Sequence, residues 1–144
     1  MSSQNYANHR QYVPLFHQVL LPVLLLTIVG SVVNLYQSWG DHQRIYSASL
    51  ITVLAICLFL TAFFARTFAL KAQDRAIYAE QNLRHFAMTG KLFDSRLSVP
   101  QAVGLRFASD GEFVALARKA AEESLTQDAI KRAVTNWRED TYRA

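Results

Sequence analysis

The sequence holds a single cysteine, Cys57, so it can form no intrachain disulfide and offers no cysteine spacing that would hold a metal. It has no GxSxG, no HExxH and no Walker-type glycine loop; Gly90, Gly104 and Gly111 stand isolated. The paired carboxylates Glu122/Glu123 and Glu139/Asp140 are adjacent along the chain and diverge rather than converge on one substrate. These absences leave no catalytic constellation, no metal set and no resident cofactor to expect. Residues 48 to 65 contain no charged side chain at all, which excludes the polar face that a soluble helix needs.

What is present is two long apolar runs, about Val13 to Tyr36 and about Ala48 to Ala65. A hydrocarbon core about 30 Å thick takes about 20 helical residues, so each run is long enough to cross it. Two strands could not close a barrel, so spanning must be helical. Twelve mostly polar residues precede the first run and no small-x-small site follows it, which predicts a retained span rather than a cleaved leader. The loop from Gln37 to Ser47 holds only Arg44, beside Asp41, whereas Arg66, Lys71, Arg75 and Arg84 follow the second run. That bias predicts a multi-pass protein with both termini cytoplasmic. Tyr36, Trp39 and Tyr46 mark the outer interface, and Tyr12 and Phe68 the inner one. No Asp, Glu or Lys lies mid-membrane, which argues against a proton relay or ion pump.

The expected fold is all-α: a two-helix transmembrane hairpin, a stalk continuing the second span, and a small bundle of three short helices. The divisions are an arm at 1–12, a hairpin at 13–70 (spans 13–36 and 48–68, outer loop 37–47), a stalk at 71–92 and a cytoplasmic helical domain at 93–144. Ala72, Ala76, Ala79, Leu83 and Phe86 form a seam at coiled-coil spacing, with Arg84 on the other side, four residues after Glu80. Gly90 reads as a C-cap. Ser98 with Gln101 and Ser109 with Glu112 read as capping boxes, and Thr126 (or Ser124 with Gln127) as a third helix start. Phe113, Leu116, Ala117 and Ala120 then share one inward face, and Ala129, Ile130, Val134 and Trp137 another. The tail is expected to fold against the stalk around Leu83 and Phe86.

Candidate contact residues fall into three sets. Gly30 and Asn34 on the first span, and the row Cys57, Thr61, Ala65, Ala69 on the second, are spaced for helix packing. The polar cluster Asn5, Tyr6, Asn8, His9, Arg10 is placed to meet Lys71, Asp74 and Arg75. His17, one turn inside the first span, reads as an interfacial residue, or less readily as an axial ligand to a haem or chlorophyll-type cofactor. From Lys71 onward, 12 basic residues stand against 10 acidic ones, a net of +2 that is too small for a nucleic-acid face.

Four segments carry a resemblance: NYANHRQYVPLFH (5–17), FALKAQDRAI (68–77), LRFASDGE (105–112) and IKRAVTNWREDTYRA (130–144). Together they resemble a bacterial family of small two-span membrane proteins that carries only a domain-of-unknown-function label. The resemblance implies a bacterial inner-membrane protein of this layout in which the polar entry segment and Gln73, Asp74 and Arg75 matter together, and supplies no activity, ligand or catalytic residue. The expectation is a non-catalytic accessory subunit or scaffold that contacts lipid and either another membrane protein or further copies of itself. The alternatives are a cofactor-binding subunit of an electron-transfer complex and a small oligomeric pore.

Overall fold

The computed structural model describes residues 4–9 and 12–140. All regular elements among them are helices: α1 (Leu15–Gln37), α2 (His42–Thr89), α3 (Val99–Leu105), α4 (Asp110–Glu122) and α5 (Gln127–Ala133). The chain divides into two compact units, one of residues 12–69 and one of residues 1–11 with 70–144.

In the first unit, α1 and the first part of α2 pair through a turn at 38–41. α1 opens with a π-helical segment, Leu15–Leu20, in which Leu21 N–H reaches back to Phe16 O. Pro22 follows, and a proline ring clashes with the carbonyl four residues earlier; the wider π turn makes room for it. The turn is shorter than the sequence suggested. Asp41 Oδ1 accepts from Gln43 N (3.1 Å) and Arg44 N (3.2 Å), which starts α2 at His42, and Gly40 supplies the positive φ of 95°.

The residues that α1 buries or half-buries include His17, Leu21, Leu24, Ile28, Ser31, Leu35 and Ser38. Those of α2 include Ile45, Ala48, Thr52, Ala55, Phe59, Ala62 and Arg66. Both sets advance in alternating steps of four and three, the spacing of a coiled-coil seam. Small residues hold the centre, where Thr52 Oγ1 lies 3.1 Å from Ser31 O and 3.0 Å from Ala48 O. The residues spaced for helix packing in the sequence, Gly30, Asn34, Cys57, Thr61, Ala65 and Ala69, are all exposed and lie off this seam. A row spaced strictly by four drifts about 40° round the helix at each step, so it cannot keep facing one neighbour. Both α1 and α2 are long and apolar enough to cross a membrane.

In the second unit, α4 and the segment around Phe93 pack on one face of α2 between Leu70 and Thr89, and α3, α4 and α5 pack on one another. Both capping boxes form, at Ser98/Gln101 and Ser109/Glu112, and Thr126 Oγ1 accepts from Ala129 N at 3.2 Å. Gly90 ends α2 with φ 71° and donates to Phe86 O at 2.7 Å. Leu105, Phe107, Phe113 and Ile130 are the largest fully buried side chains. Gln101, also buried, donates from Nε2 to Ala120 O and Leu125 O, each at 3.0 Å, and so fixes α3 to the end of α4.

Two expectations about this unit change. α5 stops at Ala133, and the chain then runs extended, pairing Trp137 with Ala108 as an isolated antiparallel bridge. Glu112 makes the stop, drawing in Thr135 N (3.0 Å), Thr135 Oγ1 (2.6 Å) and Asn136 N (3.0 Å). The second change concerns α2. Ala72, Ala76, Ala79, Leu83 and Phe86 are exposed, while Ile77 and Gln81 are buried and Tyr78, Asn82, Arg84 and His85 half-buried. The polar residues are satisfied inside: Asn82 Oδ1 accepts from Phe93 N at 2.7 Å, and the His85 ring sits 5.2 Å from that of Phe93.

Gly104 marks the closest approach of α3 to α5: a Cβ there would lie 3.1 Å from Gln127 O and 3.2 Å from Ile130 Cβ. Gly104→Val should therefore lower the unfolding free energy of this unit by about 2 kcal/mol, read as a shift in the urea midpoint. An unchanged midpoint would show that the contact is loose.

Candidate functional site

The second unit carries its polar chemistry at two places. The first is Arg84, which α2 turns into the helical unit rather than toward Glu80 as its spacing suggested. Its Nε donates to Asp110 Oδ1 at 2.9 Å, Nη2 to Ala108 O at 2.8 Å and Nη1 to Gln81 Oε1 at 3.1 Å. The guanidinium also lies 4.2 Å over the Phe113 ring. The Arg84 hydrogen bond, and then its charge, hold the Asp110 carboxyl below its ordinary range. At Glu112, burial opposes ionisation, but the bonds from Thr135, Asn136 and Ser109 outweigh it and keep this carboxyl low too.

The second place is a clasp made by the N-terminal arm. Asn5 Oδ1 accepts from Ala7 N (2.9 Å) and Asn8 N (3.2 Å), and Asn8 Oδ1 accepts from Asn5 N (2.6 Å), so the arm orders itself as a turn. Gln4 Oε1 accepts from Asp140 N at 2.8 Å. Tyr6 donates its hydroxyl proton to Asp128 Oδ1 at 2.6 Å, and Arg132 lies 4.9 Å over its ring. The His9 ring stands 5.7 Å from Phe107 and 5.8 Å from Trp137. Its Nδ1 meets Tyr6 O at 2.6 Å, and a carbonyl only accepts, so Nδ1 carries the proton. Nε2 then accepts from Lys131 Nζ at 3.2 Å. Arg106 completes the floor, with Nε 2.8 Å from Asp140 Oδ2 and the guanidinium 4.4 Å over Phe107.

Of the polar cluster read from the sequence, Tyr6 and His9 thus come together on α5, Phe107 and Trp137, where the sequence had pointed to residues 71–75. Arg10 lies outside the described residues. Lys71 and Arg75 are exposed, and Gln73 and Asp74 half-buried. Lys131, Arg132 and Trp137 were missed as partners of the arm, and no local pattern announces a contact across 122 positions such as that between Tyr6 and Asp128. His17 turns its Nδ1 to Val13 O at 2.9 Å and stacks on Tyr12 at 4.5 Å. Among the described residues no group of three or more His, Cys, Asp or Glu is arranged to hold a metal.

The Tyr6 hydroxyl first, and Arg132 second, hold the Asp128 carboxyl below its ordinary range. A carboxyl lowered by folding contributes stability above its unfolded value, about 3.9, and loses that contribution as pH falls through the folded one. The contribution of these carboxyl groups to the stability of the helical unit should therefore be level above about pH 5 and fall below about pH 4. Tyr6→Phe should flatten part of that fall, while Asp110, Glu112 and Asp94, which its hydrogen bond from Arg96 holds low, sustain the rest. An identical acid limb in Tyr6→Phe would remove the Tyr6 contribution.

The chain matches a family of unknown function, DUF6526, over residues 1–144. It belongs to that family. No curated protein and no solved structure matches it. Membership in DUF6526 covers the arm, both long helices and the three short ones alike, so the family match takes in the clasp together with the unit it closes.

Proposed function

We propose that this DUF6526 member is a non-catalytic, two-span protein of a bacterial inner membrane, anchored by its helical hairpin and presenting the helical unit as a cytoplasmic docking surface. The observation that carries this reading is α2 itself. Its first part has no charge between residues 48 and 65, and it turns Leu54 (60% exposed), Leu58 and Phe63 outward. In water such a surface would aggregate; in lipid it is the ordinary surface of a span. The second part of the same helix is built into a capped, charged and well-packed unit. The scarcity of Lys and Arg in the turn after α1, against Arg66, Lys71 and Arg75 further along α2, supports a cytoplasmic location for that unit.

Native membranes washed at alkaline pH and then solubilised in mild detergent test both halves. The chain should stay with the membrane through the wash and elute as a defined complex larger than one chain. Release by alkali overturns the anchor, and a bare monomer in detergent overturns the docking role.

A further inference from the structure

The face of α2 that the helical unit leaves open has the lettering of a coiled coil. With Ala76 and Leu83 at a, and Ala72, Ala79 and Phe86 at d, the residues packed within the unit (Ile77, Tyr78, Gln81, Asn82, Arg84, His85) occupy b, c, f and, at Asn82, g. The unit has folded against the back of the seam, and the seam itself faces outward, with Leu83 66% and Phe86 48% exposed. Arg75 stands at g and Glu80 at e, both exposed.

We propose that this face is the interface of a parallel homodimer. In a parallel pair, the g residue of one helix faces the e residue five positions on in the other. Here that sets Arg75 against the second copy's Glu80, and symmetry makes the pair twice. An antiparallel pair sets g against g and e against e, and loses both pairings. Parallel orientation also follows from the anchor, and to that extent the inference rests on the membrane reading, because two copies inserted alike can only run alike. The alanines let the helices approach closely, while Leu83 and Phe86 supply the apolar mass. Two heptads are a short seam, and confinement to one membrane raises the effective concentration that makes so short a seam sufficient.

The test uses the full chain in its own membranes, with Cys57→Ser as background and one cysteine added at a time. Under mild oxidation, Ala76→Cys and Leu83→Cys should each give a disulfide-linked dimer, because a positions of a parallel pair meet their own counterparts. Lys119→Cys, exposed on α4, is the control for random collision. Arg75→Glu and Glu80→Arg should each reduce the Leu83→Cys dimer several-fold, and the two together should restore it. Yields no greater than with Lys119→Cys overturn the proposal, as does crosslinking only in mixtures of Ala79→Cys with Leu83→Cys chains, because an antiparallel pair sets a positions against d. A double charge variant no better than either single one overturns the Arg75–Glu80 pairing. Alkaline washing of the same membranes separates the two readings. A washed-off chain that still crosslinks refutes the anchor, and a retained chain that never crosslinks refutes the dimer.

Discussion

Arg84→Ala lowers the stability of the helical unit by about 3 kcal/mol, the largest effect expected of any single substitution outside the apolar core. Arg84 joins α2, the bridge residue Ala108, the first turn of α4 and the Phe113 ring. Its loss leaves Ala108 O and Gln81 Oε1 without their charged donor in a place water reaches poorly. Arg84→Lys recovers little, because an ammonium cannot serve three acceptors in a plane and cover a ring at once. The chain has two tryptophans, so Trp39→Phe makes Trp137 the sole reporter. Urea unfolding followed by its fluorescence measures the change. A midpoint within error of the parent would show that the unit holds α2 by apolar contact alone.

The second large effect belongs to the clasp. His9→Ala removes the ring that packs on Phe107 and Trp137 and the acceptor facing Lys131. The expected loss is about 2 kcal/mol, from a vacated apolar contact and the loss of one acceptor for Lys131 together. Its signature differs from that of Arg84→Ala. The arm lets go while α3 to α5 stay folded, so Trp137 emission should shift to the red under native conditions and protease should cut the arm first. A cooperative drop in midpoint with no native red shift would place His9 in the core of the unit instead of in a detachable clasp.

The parts legible in the sequence were those written within a few residues. The capping boxes at Ser98 and Ser109, the Thr126 cap and the Gly90 stop each need one side chain and its own neighbouring backbone, and all four formed. The length and hydropathy of α1 and α2 were legible for the same reason. What was hidden depends on partners far along the chain. The face of α2 bearing Asn82, Arg84 and His85 looks like a solvated one until Phe93, Asp110 and Lys91 are brought to it. The apolar seam was real as a pattern, but the helical unit packs on the opposite side of the helix. In the hairpin, two rows of small residues lie side by side on α2, and only the alternation of three and four steps picks out Ala48, Thr52 and Ala55. The clasp joins Gln4 to Asp140 across 136 positions, a distance at which hydrophobic period and capping say nothing.

If α2 runs, as proposed, from the membrane into a cytoplasmic helical unit, its start and the unit lie on opposite sides of the bilayer, and labelling from each side decides whether they do. With Cys57→Ser as background, Gln43→Cys at the start of α2 and Lys119→Cys on α4 are each treated with a membrane-impermeant maleimide, in right-side-out and in inverted vesicles. Labelling at 43 is expected only from the outside and at 119 only from the inside. Labelling of both positions from the same side would contradict the proposed arrangement.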